Sequence, residues 1–287
     1  MSLCFFTSDL HGKLERYKSL FKSIREEKPS IVLLGGDLLP SGLYSFLSKE
    51  NVIEDFINDF LVTNLNELKN DLGDKYPFIG LILGNDDGKI NEQEFIDGEK
   101  HELWRYMHNK CFVFNDYKIY GYSYIPPTPF ILKDWEKYDV SRYTDPGCIS
   151  PEDGKYSVKV NKNVIKYSTI QKDLEKLIPD HSLDSTIILF HSPPYKTNLD
   201  RAELDGKKID YVPLDVNVGS IAIQRFIESN QPYLTLHGHV HESARLTGQW
   251  KDKIGSTNMF SGAHDGPELS LVKFEINNLS KAKRELI

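Results

Sequence analysis

Short apolar runs rich in β-branched residues alternate with amphipathic stretches along this chain, and that rhythm restricts its fold more than any other feature. A run such as Ile-Val-Leu-Leu-Gly at 31–35 has no polar face, so as a strand it must be covered on both sides. That is the environment of a largely parallel sheet flanked by helices. Leu3 to Ser8 reads as the first strand, and Lys13 to Glu27 as a helix with Leu14, Tyr17, Leu20, Phe21 and Ile24 on one face. Ile31 to Gly35 is the second strand. Val52 to Lys69 repeats Val52, Phe56, Phe60 and Leu68 at helical spacing before a strand from Phe78 to Leu83. The opening unit is therefore β-α-β-α-β. In the second half, helices are expected at Thr169 to Ile178 and Ile221 to Ser229. Strands are expected at Thr186 to Phe190 and Tyr233 to Leu236, with two closing strands at Asn258 to Ser261 and Leu269 to Ile276.

One stretch breaks the alternation. From Tyr122 to Tyr167 the chain carries Ile125-Pro126-Pro127-Thr128-Pro129-Phe130, then Trp135, then turn signals at Asp145-Pro146-Gly147 and Ser150-Pro151. A segment this long without periodicity is often functional. The chain is read as one domain over residues 1–287 with an insert at about 122–167, since 287 residues and 39% apolar content suffice for a single large core. Three cysteines, Cys4, Cys111 and Cys148, have no close pairing that would suggest a disulfide framework or a zinc knuckle, and they fit a reducing cytoplasm. No segment is long enough to span a bilayer, so a soluble, cytoplasmic protein with no membrane partner is expected. A formal charge of −7 argues against nucleic acid as a partner, because a long phosphate backbone would be repelled.

The residues that carry chemistry fall immediately after expected strands, where ligands gather in open α/β sheets. They are Ser8-Asp9-Leu10-His11-Gly12, Gly35-Gly36-Asp37, Gly84-Asn85-Asp86-Asp87, His191-Ser192-Pro193-Pro194 and His237-Gly238-His239-Val240-His241. Asp and His two apart can turn to one side of an extended loop, and glycine lets the backbone pass close to a bound ion. Each cluster alone has an ordinary explanation. Asp9 serves equally well as a helix cap, Gly35-Gly36-Asp37 as a turn and His191 as a loop histidine. Together, at five strand ends, they point to a metal site. Mixed oxygen and imidazole ligands suit manganese, iron or zinc better than calcium, manganese being the first choice.

In this order and spacing, over residues 9 to 241, the clusters resemble the calcineurin-like metallophosphoesterases, whose blocks read D-x-H, G-D, G-N-H-D or G-N-H-E, a lone H, and G-H-x-H. His191 to Asp200, Val218-Gly219-Ser220 and His239 to Ser243 further resemble a bacterial and archaeal branch of that family. The resemblance implies a two-sheet αββα sandwich with the site at one end of the sheets. It also implies two divalent metal ions, one held by Asp9, His11, Asp37 and His241 and the other by Asp37, Asn85, His191 and His239, with Asp37 shared. Such a pair clamps phosphate oxygens and acidifies a water for in-line attack.

One position departs from the pattern. The histidine that usually follows the asparagine, and helps the leaving oxygen depart, is Asp86 here. That role contributes about 10²–10⁴-fold in rate, and a carboxylate near two dications makes a poor acid at pH 7. Asp86 is left to bind water, to touch a metal or to do nothing chemical, while Asp87 occupies the acidic position that would orient the missing histidine. Asn85, Asp86 and Asp87 are thus the candidates around the chemistry. The expected function is hydrolysis of small phosphoesters, with phosphodiesters or nucleotide-like molecules favoured; the alternatives are a metal-binding scaffold of the same fold, or a nuclease. Secondary candidates are His237, His264, an aromatic wall of Tyr122, Tyr124, Phe130 and Trp135, and the basic residues Lys196, Arg201, Lys207 and Lys208, each of which also reads as ordinary core or solvated surface.

Overall fold

The computed structural model describes residues 2–40, 55–178 and 182–287. Two six-stranded mixed sheets form its centre. In the first, β1 (Leu3–Thr7), β2 (Ile31–Gly35), β3 (Phe78–Ile82) and β4 (Arg105–Tyr106) run parallel. In the second, β5 (Cys111–Phe114) pairs antiparallel with β6 (Tyr117–Tyr122), which runs parallel to β7 (Thr186–Phe190). A small hairpin, β8 (Lys208–Ile209) and β9 (Val212–Pro213), stands apart from both sheets. β10 (Leu234–His237) continues the second sheet beside β7, and β11 (Lys251–Ile254) with β12 (Thr257–Ser261) closes it. β13 (Ser270–Glu275) and β14 (Asn278–Leu286) return to the first sheet beside β1.

The alternation of side chains along each strand explains the layering. Cys4, Phe6, Ile31, Leu33, Ile187, Leu189, Leu234 and Leu236 point into one apolar cluster shared by the two sheets. Their neighbours Phe5, Val32, Leu34, Ile188 and Phe190 join a second cluster with helical residues such as Tyr17, Leu20, Leu65 and Ile223. Strands buried on both faces between helices make an αββα sandwich.

Most of the expected elements lie within a residue or two of their bounds, including helix Leu14–Glu27 and helix Ile221–Asn230, but β4, β5 and β6 fall where no strand was expected. The expected helix from Val52 is instead a π-helical turn, Phe56–Val62, followed by helix Thr63–Leu72, and Val52 itself lies outside the described residues. Two closing strands were expected, but β11 and β14 add two more. β14 is an edge strand whose Asn-Leu-Ser-Lys-Ala-Lys-Arg-Glu-Leu sequence exposes charges as edges do, and only Leu279 and Ala282 in it are buried. Between β6 and helix Lys162–Tyr167 the chain forms isolated bridges, such as Ile125 with Glu136 and Leu132 with Lys155. No helix among the described residues is long and apolar enough to cross a membrane.

Candidate metal centre

The loops after β1, β2, β3, β7 and β10 meet at the carboxyl ends of the parallel strands. Backbone geometry there is unusual. Asp9, His11, Asp37 and His239 all have positive φ, 58°, 48°, 53° and 74°, a conformation that costs energy in residues with a Cβ and clusters at functional sites. Glycine makes the close approach possible: a Cβ at Gly84 would stand 2.3 Å from Asp37 Oδ1, and one at Gly238 would stand 2.8 Å from Asp9 Oδ2.

On one side of the cluster, His11 Nε2 and His241 Nε2 are 3.1 Å apart, and His241 Nε2 is 3.2 Å from Asp9 Oδ1. Ligand atoms of Asp9, His11, Asp37 and His241 all lie within 4.8 Å of one another. Across the cluster, His191 Nε2 is 3.4 Å from Asp37 Oδ2 and 3.1 Å from Asn85 Oδ1. His191 Nδ1 lies 2.7 Å from the Gly35 carbonyl, to which its N–H donates, so Nε2 is the nitrogen turned toward Asp37. The Asp37 carboxylate thus stands between the two sides, with Oδ2 3.9 Å from His11 Nε2. The His239 ring packs 5.4 Å from that of His191, and its backbone N–H donates to Asp9 Oδ1 at 3.0 Å.

Asp86 and Asp87 have separate surroundings. Asp86 Oδ2 is 3.3 Å from His11 Nδ1, Asn85 Nδ2 donates to its Oδ1 at 3.3 Å, and its backbone N–H donates to Asp37 Oδ1 at 2.8 Å. Asp87 is fully buried and accepts from the backbone N–H groups of Leu38, Leu39 and Gly84, fastening the loop after β2 to the loop after β3.

Burial and charge pull in opposite directions within the cluster. Burial would raise the pKa of Asp9, but the hydrogen bond and charge of His241, with His191 and His11 behind it, hold the carboxyl far below its usual range. Asp37 is held down to about 2 against its burial by His191 and His11. Burial opposes charge on His11 and His191 too, yet Asp86 and Asp37 push His11 up to about 9, and Asp37 pushes His191 up to about 10. His239 goes the other way, down to about 3, through burial and the charge of His191. The buried carboxylates thus draw positive charge onto their neighbours, which is the electrostatic condition of a cation site.

The metallophosphoesterase pattern extends over most of the chain. A family model described as calcineurin-like phosphoesterase covers residues 4–243. The chain belongs to the calcineurin-like phosphoesterase family. Its fold resembles that of TT1561 from Thermus thermophilus, with a TM-score of 0.55 and 17% identity over 99% of this chain and 98% of that one. A dimetal phosphatase from Danio rerio aligns over 95% of this chain and 91% of its own, at 12% identity and a TM-score of 0.46. No curated protein matches the sequence significantly.

A residue without sequence signal ties two of the loops around the cluster together. Arg16, on the buried side of the first helix, donates to the carbonyls of Asp9, His264, Gly266 and Pro267, so it braces the loop after β1 against the loop after β12. Other candidates lie apart from the cluster. His237 is stacked on Phe190, with Nδ1 at the Ser192 carbonyl and Nε2 at Thr235 Oγ1, so neither nitrogen is free for a metal. His264 Nε2 pairs with Glu268 at 3.0 Å. Tyr122, Tyr124 and Trp135 pack around His108 in the core instead of forming an open wall, and Phe130 is exposed. Arg201 pairs with Asp205, and Lys207 and Lys208 lie on the exposed hairpin.

Proposed function

We propose that this phosphoesterase works with two divalent cations, manganese first among them, on small phosphodiesters or nucleotide-like substrates. The observation that carries the reading is the position of Asp37, whose Oδ2 lies within 4 Å of a histidine nitrogen on each side. The donor set fits a metal. Two imidazole lone pairs 3.1 Å apart, at His11 and His241, require a proton or a cation between them, and the flanking atoms are carboxylate oxygens.

One ion would be held by Asp9, His11, Asp37 and His241, the other by Asp37, Asn85, His191 and His239. When bound, they would polarise phosphoryl oxygens and acidify water, supplying the nucleophile for in-line attack. The protein's part is positioning. Gly35 fixes the tautomer of His191, Ser8 donates to Asp9 Oδ2, and Asp87 fixes the two loops that carry Asp37 and Asn85.

Asp86 supports the substrate preference. Its carboxylate is committed to His11 and Asn85, so it holds ligands and offers no proton to a departing oxygen. Such an enzyme favours good leaving groups, or diesters whose acid comes from another group. The formal charge of −7 favours small molecules over polymeric nucleic acid. The decisive experiment assays manganese-loaded protein against a bis-aryl phosphate, an aryl monophosphate and a panel of cyclic and linear nucleotides, with Asp37→Asn as control. Diester cleavage that vanishes in the control supports the reading. Two bound ions without turnover on any substrate would make the protein a metal-binding scaffold, and preference for long polynucleotides would make it a nuclease.

A further inference from the structure

A second cavity, of about 370 Å³, opens between segments 126–148 and 195–221, and it shares no residue with the metal-ligand cluster. Its two walls are stitched together at the floor. Asp139 accepts from Ser220 Oγ at 2.6 Å and from the backbone N–H groups of Ile221 and Ala222, at the start of helix Ile221–Asn230. One end is closed by the β8–β9 hairpin, whose Ile209 lies so close to Gly147 that a Cβ there would stand 2.4 Å from Ile209 Cδ1. The hairpin turns through Asp210 and Tyr211, both at positive φ, as a tight two-residue turn requires. The cavity is thus bounded by hydrogen-bonded walls and an exposed hairpin, and its volume falls in the size range of small-molecule sites.

Its lining states a preference. The interior is apolar, with Pro126, Pro129, Val140, Leu204, Leu214 and Val218. Three carboxylates, Asp139, Asp145 and Asp215, line it with no lysine, arginine or histidine among the described lining residues. Asp139 is spent on the helix start. Asp215 accepts from Tyr195 Oη at 2.6 Å and from the Asn217 N–H at 2.9 Å. Asp145 and Asp215 are both exposed residues of the lining, and partial desolvation, followed by the charge of Asp215, raises the pKa of Asp145, so the two carboxylates repel each other at the mouth of the cavity. Two tyrosines complete the lining, Tyr143 and Tyr195, and the ring of Tyr195 already attracts the Lys196 ammonium to 5.2 Å. An anion would be repelled here, and a neutral apolar guest would fill the walls while leaving the carboxylates opposed.

We propose that this cavity binds an organic ammonium ion, its apolar body against the prolines and its cationic head beside Asp145, Asp215 and the tyrosine rings. Charge attraction and cation–π contact act together in such a site. The proposal stands independently of the metal centre.

Isothermal titration of the full chain with benzyltrimethylammonium tests it, with benzyl alcohol and benzoate as neutral and anionic probes. The expected result is one saturable site for the cation, binding of the alcohol at least tenfold weaker, and no binding of benzoate. The double substitution Asp145→Asn with Asp215→Asn should weaken the cation at least tenfold, with the melting temperature of each protein recorded alongside. Tyr143→Leu, at a side chain largely exposed to solvent and hence tolerant of change, should weaken it as well. No saturable binding of the cation, equal binding of the alcohol, or full affinity in the folded variants would overturn the proposal.

Discussion

Asp86 Oδ2 stands 3.3 Å from Nδ1 of His11, while the other nitrogen of that imidazole, Nε2, faces His241 at 3.1 Å. A carboxylate on the outer nitrogen of a ligand histidine fixes the ring's orientation and raises its basicity. Asp86 also takes a hydrogen bond from Asn85 and gives its backbone N–H to Asp37, so one residue touches a candidate ligand on each side of the cluster and the shared carboxylate between them.

Replacing Asp86 with asparagine keeps the shape and removes the charge beside His11. The expected outcome is an apparent manganese dissociation constant about 10–100-fold higher, measured by metal titration of the apoprotein. Affinity equal to that of the parent would show that the carboxylate does not orient His11. In a separate variant, Asp86→His, turnover of an unactivated monoester should rise at equal metal content, by some part of the about 10²–10⁴-fold that a general acid contributes.

Gly84→Ala probes how tightly the cluster is packed. The added methyl would fall 2.3 Å from Asp37 Oδ1 and 2.6 Å from His191 Cε1, so both side chains must move. Phosphoester turnover should drop by at least tenfold, with less metal retained after dialysis. Parental turnover and metal content together would show that Asp37 and His191 tolerate displacement.

The sandwich was legible because its strands are buried on both faces and read as uninterrupted apolar runs, as at 31–35 and 186–190. β14 was not, because an edge strand bearing Lys281, Lys283 and Arg284 looks like a solvated tail until β13 is beside it. The convergence of five loops was legible from residue type and position. The resemblance already set His237 apart from His239 and His241; the physical reason was not legible, and it is the packing of Phe190 on His237 with hydrogen bonds at both of its ring nitrogens. Arg16 gave no signal, since an arginine near a helix start resembles any solvated charge until the carbonyls of a distant loop are seen around it.

Acid should destabilise the metal-free protein through His108. Its ring is enclosed by Tyr122, Tyr124 and Trp135, and its Nδ1 accepts from the Ser123 N–H. Burial, with Lys89 and Lys137 adding repulsion, holds its pKa well below 6.5. Unfolded, the same imidazole titrates near 6.5. As pH falls below that value the unfolded chain takes up a proton that the folded protein refuses. The share of stability that His108 contributes is therefore whole above 6.5 and declines by up to about 1.4 kcal/mol per pH unit below it, until the folded pKa is reached, and the depressed His237 and His239 add to the same acid slope. Urea unfolding between pH 7.5 and 4.5 should show this decline, and His108→Gln should make it shallower; an identical slope in the variant would exclude His108 as a source.

The proline-rich segment should unfold as part of the core, because it contains the ion pair between Lys133 and Glu136, both fully buried. Glu136 also takes hydrogen bonds from the N–H and Oγ1 of Thr128, and Lys133 donates to the Thr128 carbonyl, so each charge is matched several times over. Removing one partner strands the other in a dry environment. Lys133→Met should accordingly cost about 3–5 kcal/mol in urea unfolding, while the double variant Lys133→Met with Glu136→Leu should recover much of it, since an apolar pair carries no desolvation penalty. A small loss in the single variant would mean that water reaches Glu136. A double variant as unstable as the single would place the cost in packing around Thr128, because charge alone predicts the recovery.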